Sequence, residues 1–307
     1  MALQFDEVRV SLDAGRPGPS YESDGTRRMG SGLTPPHAWR CIHASVAGAA
    51  HHVNSLPCQD YSLVSSLRAP DGEPLLVLVA ADGAGSAASA EVGARLACST
   101  FVEVVMSYFE GGGTISALTK PVADSWITQL VERLTMYAYG EALQLRDLAS
   151  TLVGAVLCSS AAAYLQIGDG AVVIPEEGGY RPVFWPQSGD YINTTYFLTD
   201  EAALEEYQFF VTHESPREIA ILSDGLQMLA LHFSTKRAHA PFFRPLFAQL
   251  RESTDEKVAV LQDALTAWLD SASINQRTDD DKTLVLAVQV TESSDDRADD
   301  RVHEPIV

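Results

Sequence analysis

Five aspartates stand where apolar stretches begin or end. Asp60 precedes Tyr61–Leu67, Asp82 follows Leu75–Ala81, and Asp169 separates Ala161–Ile167 from Ala171–Ile174. Asp224 follows Ile219–Leu222, and Asp280 precedes Thr283–Val290. A side chain at the rim of a buried strand can emerge into a cleft. Several carboxylates converging there repel one another, and burying them unpaired costs several kcal/mol each, about the penalty for any unpaired buried charge. A divalent cation removes that cost. A set made of carboxylates and other oxygens selects hard cations, Mg²⁺, Mn²⁺ or Ca²⁺, over zinc. One Asp-Gly pair after a strand is an ordinary turn. Three of them, Asp82-Gly83, Asp169-Gly170 and Asp224-Gly225, with Gln59-Asp60 and the run Asp279-Asp280-Asp281, form a pattern.

The elements that must position these residues are legible. Cys41–Val46 and Tyr61–Leu67 read as short strands, and Leu75–Ala81 as a strand buried on both faces. Ala90, Ala94, Ala97, Phe101 and Val105 recur at three- and four-residue spacing, one face of a helix. Ile127, Leu130, Val131, Leu134, Ala138, Ala142 and Leu145 predict a second helix. Both stripes are core-packing faces. Strands follow at Thr151–Cys158, Ala161–Ile167, Ala171–Ile174 and Ile219–Leu222, then helices at Phe242–Leu250 and Glu256–Leu269. Thr283–Val290 closes the core as a last strand. Strands in blocks and helices in pairs predict an α+β layered fold, not a βαβ alternation.

The 307 residues carry 21 Lys+Arg against 41 Asp+Glu, a net charge of −20. That balance argues against nucleic acid and against an anionic membrane surface, both of which need clustered cations. Cys41, Cys58, Cys98 and Cys158 are spread singly, so neither a zinc ribbon nor a disulfide framework is expected. The first residues lack a secretory pattern. The longest apolar run falls far short of the roughly 18 residues of a membrane helix. A soluble cytoplasmic protein is expected. Residues 1–37 are rich in Gly, Pro, Ser and Arg and read as a flexible leader. Residues 292–307 read as an acidic flexible tail, leaving one domain over 38–291.

The order Gln59-Asp60, VAADGAGS (79–86), Ser150-Thr151-Leu152, IGDG (167–170), ILSDGL (221–226) and DDDKTLVLAV (279–288) resembles the metal-dependent protein phosphatases of the PP2C (PPM) family, in the bacterial branch carrying DGAGS and CQD. The resemblance implies a four-layer αββα sandwich with two central antiparallel sheets and a metal cleft at one end. It implies a serine/threonine protein phosphatase in which a water bridging two Mn²⁺ or Mg²⁺ ions attacks phosphorus. Carried over by position, Asp82 bridges both metals and the Gly83 carbonyl binds one of them. Asp224 and Asp280 complete the other site, Asp60 orients water, and Asp169 belongs to a weaker third site. The chain departs from the common pattern in three places. It has Gln59 where many members have Glu, Ala84 where many have a His, and Ser55 where many bacterial members have a phosphate-binding Arg. His51 or His52 is the substitute phosphate ligand. The implied partner is a phosphorylated protein, opposing a serine/threonine kinase. Counting back from Thr283 selects Asp280 as the ligand and leaves Asp279 and Asp281 as solvated flanks.

Other phosphoryl chemistries fit less well. Asp279-x-Asp281-x-Thr283 matches the DxDxT of HAD-type phosphatases, but there the nucleophile follows the first strand, not the approach to the last. No cysteine has an Arg six residues on, and no P-loop is present. A catalytically weak PP2C-like module that binds a phosphoprotein is the alternative from a different functional class. Hydrolysis of p-nitrophenyl phosphate with and without Mn²⁺ separates the two.

Overall fold

The structure is a computed structural model, and it describes residues 38–188 and 195–290. The expected leader and the expected tail lie outside these residues. In chain order the elements are β1 (Ala38–Val46), α1 (Ala49–Asn54), β2 (Tyr61–Arg68), β3 (Pro74–Ala81), α2 (Ala90–Glu110), α3 (Lys120–Gly140), β4 (Leu152–Leu157), β5 (Ala162–Ile167), β6 (Ala171–Glu176) and β7 (Gly179–Pro182). They continue as α4 (Ala203–Glu206), β8 (Gln208–Thr212), β9 (Glu218–Leu222), α5 (Gln227–Ala230), β10 (Leu231–His232), β11 (Arg237–Ala238), α6 (Ala240–Glu252), α7 (Asp255–Leu269), α8 (Ala272–Asn275) and β12 (Lys282–Val290).

Two five-stranded antiparallel sheets form, in the orders β1-β12-β9-β6-β7 and β2-β3-β4-β5-β8. β3 shows why its sequence is apolar without alternation. Leu75, Val77, Val79 and Ala81 pack in the cluster beneath α2 and α3, and Leu76, Leu78 and Ala80 pack between the two sheets. Side chains alternate across a strand, so a strand covered on both faces must be apolar at every position. On the other side, Leu222, Leu284 and Leu286 pack with Phe243, Phe247 and Leu265 of α6 and α7. The result is helix layer, sheet, sheet, helix layer.

Most expected elements appear within a residue or two. The second helix is shorter than its stripe. α3 ends at Gly140, and Ala142 takes a left-handed conformation at φ 57°. Leu143 N–H donates to Ala138 C=O at 2.8 Å, a helix-terminating loop that returns apolar Leu143 to the core. α1, β7, β8 and the β10–β11 hairpin carry no strong periodicity, and their sequence alone does not predict them. α2 is long and apolar enough to cross a membrane by length and composition, but Ala90, Ala94, Ala97, Phe101 and Val105 are packed into the core.

Candidate metal centre

Asp82 leaves the end of β3 into a loop held on both sides. Its N–H donates to Thr151 Oγ1 at 3.0 Å, and its C=O accepts Thr151 N–H at 2.8 Å. Gly83 N–H donates to Gln59 C=O at 3.2 Å, and Gly83 bridges Ser150. The Ser150-Thr151 pair thus joins β4 to the Asp82 loop, and Gln59 joins the Asp60 segment to it. Asp169 sits in the turn after β5, where Gly168 takes φ 103°. The Asp169 C=O accepts Gln227 Nε2–H, and Thr195 hydrogen-bonds its carboxylate. Asp224 follows β9.

One carboxylate oxygen each from Asp82, Asp169 and Asp224 lies within 4.8 Å of the others. Asp60 is buried beside this triad. Its Oδ2 accepts Ser223 Oγ–H at 2.7 Å, and its Oδ1 has no partner. Burial pushes the Asp60 carboxyl up to about 7, against the Ser223 and Thr283 hydroxyls, with the Asp281 and Asp224 charges adding to it. Burial, then the Asp169 charge, raises Asp224 to about 6. Burial and the charges of Asp60 and Asp224 hold Asp82 well above the ordinary carboxylate range. Burial also raises Asp169. Asp280 is exposed, and its charge bears on both Asp169 and Asp224. The fold therefore gathers all five aspartates at one end of the sandwich, three in contact and two alongside.

The donor chemistry fits hard divalent cations. Gln59 Oε1, Asp60 Oδ1, Ser150 Oγ and Asp224 Oδ1 are buried oxygens without a protein partner, and all belong to these segments. Buried polar atoms are normally satisfied, so a group of orphaned oxygens beside raised carboxylates matches what an oxygen-ligated ion needs. Burial raises the thiols of Cys41 (to about 12), Cys58, Cys98 and Cys158, which leaves no activated thiolate for nucleophilic chemistry.

The run 279–281 corrects one expectation. Asp279 and Asp280 are exposed, but Asp281 is only 2% exposed and is not a solvated flank. Its carboxylate is held inward by two backbone amides, and two glycines pack closely against the backbone of the run. A Cβ on Gly225 would stand 1.9 Å from the Asp281 carbonyl oxygen, and one on Gly48 would stand 2.2 Å from that of Asp279. Gly225 has no positive φ, so close approach rather than turn geometry requires this glycine. Asp281 Oδ1 accepts Gly48 N–H at 2.7 Å, and Oδ2 accepts Gln59 N–H at 2.6 Å. His51 sets its Nδ1 2.8 Å from Asp281 Oδ1, off the line of a good hydrogen bond, while His52 is more than half exposed and 3.9 Å from Asp270. A buried cation next to the cluster also escapes sequence reasoning. Lys282, fully buried, donates to Asn275 Oδ1 at 2.8 Å and to the carbonyls of Ala47 at 3.2 Å and Asp280 at 3.4 Å.

Residues 47–270 match the profile of the family described as protein phosphatase 2C. Serine/threonine-protein phosphatase 3 of Escherichia coli (strain K12) is 35% identical over 251 residues, which cover 82% of this chain and 98% of that protein. Among solved structures, a bacterial serine phosphatase superposes with a TM-score of 0.54 at 16% identity, over 84% of this chain and 99% of the other. The catalytic domain of the serine/threonine protein phosphatase PstP, in complex with two manganese ions, gives 0.51 at 14% identity, over 83% and 99%. At these identities the structures show a shared fold.

Proposed function

The chain belongs to the protein phosphatase 2C family, and from that premise we propose that it is a metal-dependent serine/threonine protein phosphatase acting on phosphoproteins. One observation carries the reading. Carboxylates from three separate strand ends meet within 4.8 Å, unpaired by any described cation, beside orphaned buried oxygens. A cluster that serves only stability has no physical reason to be arranged so.

Asp82, the Gly83 carbonyl, Asp224 and Asp280 are the residues assigned to hold two ions, Mn²⁺ or Mg²⁺, with Asp169 assigned to a weaker third. When bound, such ions make water a nucleophile at neutral pH and offset the charge of the phosphoryl oxygens. The chain's own part is placement. Thr151 grips the Asp82 backbone at both ends, so the carboxylate is presented without freedom to retreat. Ser223 holds one Asp60 oxygen and leaves the other free to accept from a water. Ser55 stands where many bacterial members carry an arginine, and of the candidate substitutes His51 and His52, His52 is the more exposed ring and the one open to a phosphate. The domain assignment, 38–291 as the catalytic unit, belongs to this reading. So do a cytoplasmic location, opposition to a serine/threonine kinase, and a protein that binds neither nucleic acid nor membrane. The free cysteines and the acidic balance support these assignments.

The test is hydrolysis of p-nitrophenyl phosphate and of a phosphothreonine peptide after exhaustive chelation. Activity should vanish with EDTA and return with Mn²⁺ or Mg²⁺. Full turnover without metal would reject the reading, and metal binding without turnover would favour a phosphoprotein-binding module instead.

A further inference from the structure

Asp281 is a buried carboxylate that the assigned metal set does not use, and its partners come from 222 and 233 residues away in sequence. Gly48 opens α1, and Gln59 immediately precedes Asp60. The same Ala47–Gly48 peptide is held from both ends. Lys282 Nζ donates to its carbonyl, and Asp281 Oδ1 accepts its N–H. A third tie is backbone to backbone, Ala50 N–H to the Asp279 carbonyl at 3.0 Å. No side chain could sit at residue 48 without moving the Asp279–Asp280 backbone. The β1–β2 connection is thus locked onto the start of β12 at the point where one carries Asp60 and the other Asp280.

We propose that Asp281 is a positioning residue of the metal centre: by binding the Gly48 and Gln59 amides, it sets the spacing between Asp60 and Asp280. This rests on the metal-centre reading above. An aspartate suits the place because its side chain has only donors around it, the Gly48 and Gln59 amides and the Cys58 thiol. An asparagine keeps one acceptor and turns its amide against a backbone N–H, leaving a buried donor unsatisfied. Groups that orient ligands from behind typically change metal affinity or activity 10- to 100-fold when removed, and about that loss is expected here.

The experiment compares full-length wild type, Asp281→Asn, Asp281→Glu, Asp82→Asn and Tyr207→Phe. Tyr207 Oη–H donates to the Asp124 carboxylate and the Lys120 carbonyl in the first turns of α3, with no bond to any of the five aspartates, and serves as a stability control. Mn²⁺ affinity is read by calorimetry on metal-free folded protein, with kcat and KM in Mn²⁺, melting in EDTA, and amide exchange at Gly48 and Gln59. Asp281→Asn should weaken Mn²⁺ binding about 10- to 100-fold, lower kcat more than raise KM, and speed exchange at both amides. Asp281→Glu, keeping the charge one methylene out, should fall between it and wild type, and it carries the test if the Asn variant does not fold. Tyr207→Phe should keep Mn²⁺ affinity within twofold. If the Asp281 variants lose melting temperature but keep Mn²⁺ affinity and kcat, Asp281 is a fold hydrogen bond only and the proposal fails. If Asp82→Asn also keeps Mn²⁺ affinity, it is the metal-centre reading that fails.

Discussion

β9 carries a buried carboxylate at one end and leads into a half-buried one just past its other end, and the fold treats them in opposite ways. Glu218 opens the strand. It accepts Tyr180 Oη–H at 2.8 Å and forms an ion pair with Arg251 of α6. Asp224, two residues past the strand's last residue, meets Asp82 and Asp169, and its Oδ1 has no partner. The Glu218 end shows that this chain can neutralise a carboxylate against its α6–α7 layer with an arginine and a phenol. At the Asp224 end carboxylates meet one another instead, and burial raises them. Charge left uncompensated at one end, with compensation at the other, separates a functional cluster from a structural ion pair.

The contrast can be broken first at Asp82. Asp82→Asn removes one charge at unchanged volume, so the fold should survive. Phosphatase activity should be abolished, and Asp280→Asn should cost at least about two orders of magnitude in rate, the size expected for a lost electrostatic group. Asp279→Asn, which changes an exposed side chain, should stay within a few-fold. Steady-state rates in saturating Mn²⁺ decide this. Loss at Asp279 with Asp280 spared, or a trapped aspartyl-phosphate, would overturn the ligand assignment.

At the other end of β9 the expected change is in stability. Glu218→Gln keeps a partner for Tyr180 but removes the charge facing Arg251, which is half exposed and screened by solvent. A loss of about 1 kcal/mol follows from the upper range for exposed pairs. Denaturant unfolding should show it, with Mn²⁺ affinity unchanged. A shift in Mn²⁺ affinity would mean that the two ends are coupled through the strand.

The smallest effect concerns pH. The carboxyls of Asp60, Asp82 and Asp224 titrate higher in the metal-free folded chain than in the unfolded one, so folding takes up protons. Their contribution is fully present below about pH 4, the unfolded carboxylate range, and is lost as pH rises through about 6 to 7. A bound cation offsets that loss. The melting-temperature gain from Mn²⁺ should therefore grow from pH 5 to pH 8 in scanning calorimetry. A gain independent of pH would mean that the cluster is ionised without metal.

Much of this architecture is written locally. A short unbroken apolar run such as Leu75–Ala81, rich in branched residues and ending in Asp-Gly, reads as a strand covered on both faces, and the helix stripes supply faces to cover it. The order of the Asp-Gly pairs at strand ends already singles out Asp60, Asp82, Asp169, Asp224 and Asp280 as one group, because residues at the same ends of neighbouring strands must meet. What the sequence by itself could not determine is which way neighbouring aspartates turn. Asp280 and Asp281 are chemically identical and adjacent. The Gly48 and Gln59 amides, brought up by the packing of distant segments, meet the carboxylate of Asp281, while that of Asp280 stays exposed. Lys282 is likewise an ordinary surface type until Ala47 and Asn275 enclose it. Periodicity reports the environment averaged over an element. The contacts of Gly48 and Ala47 join segments 233 and 235 residues apart, and only the assembled sandwich brings them within hydrogen-bonding distance.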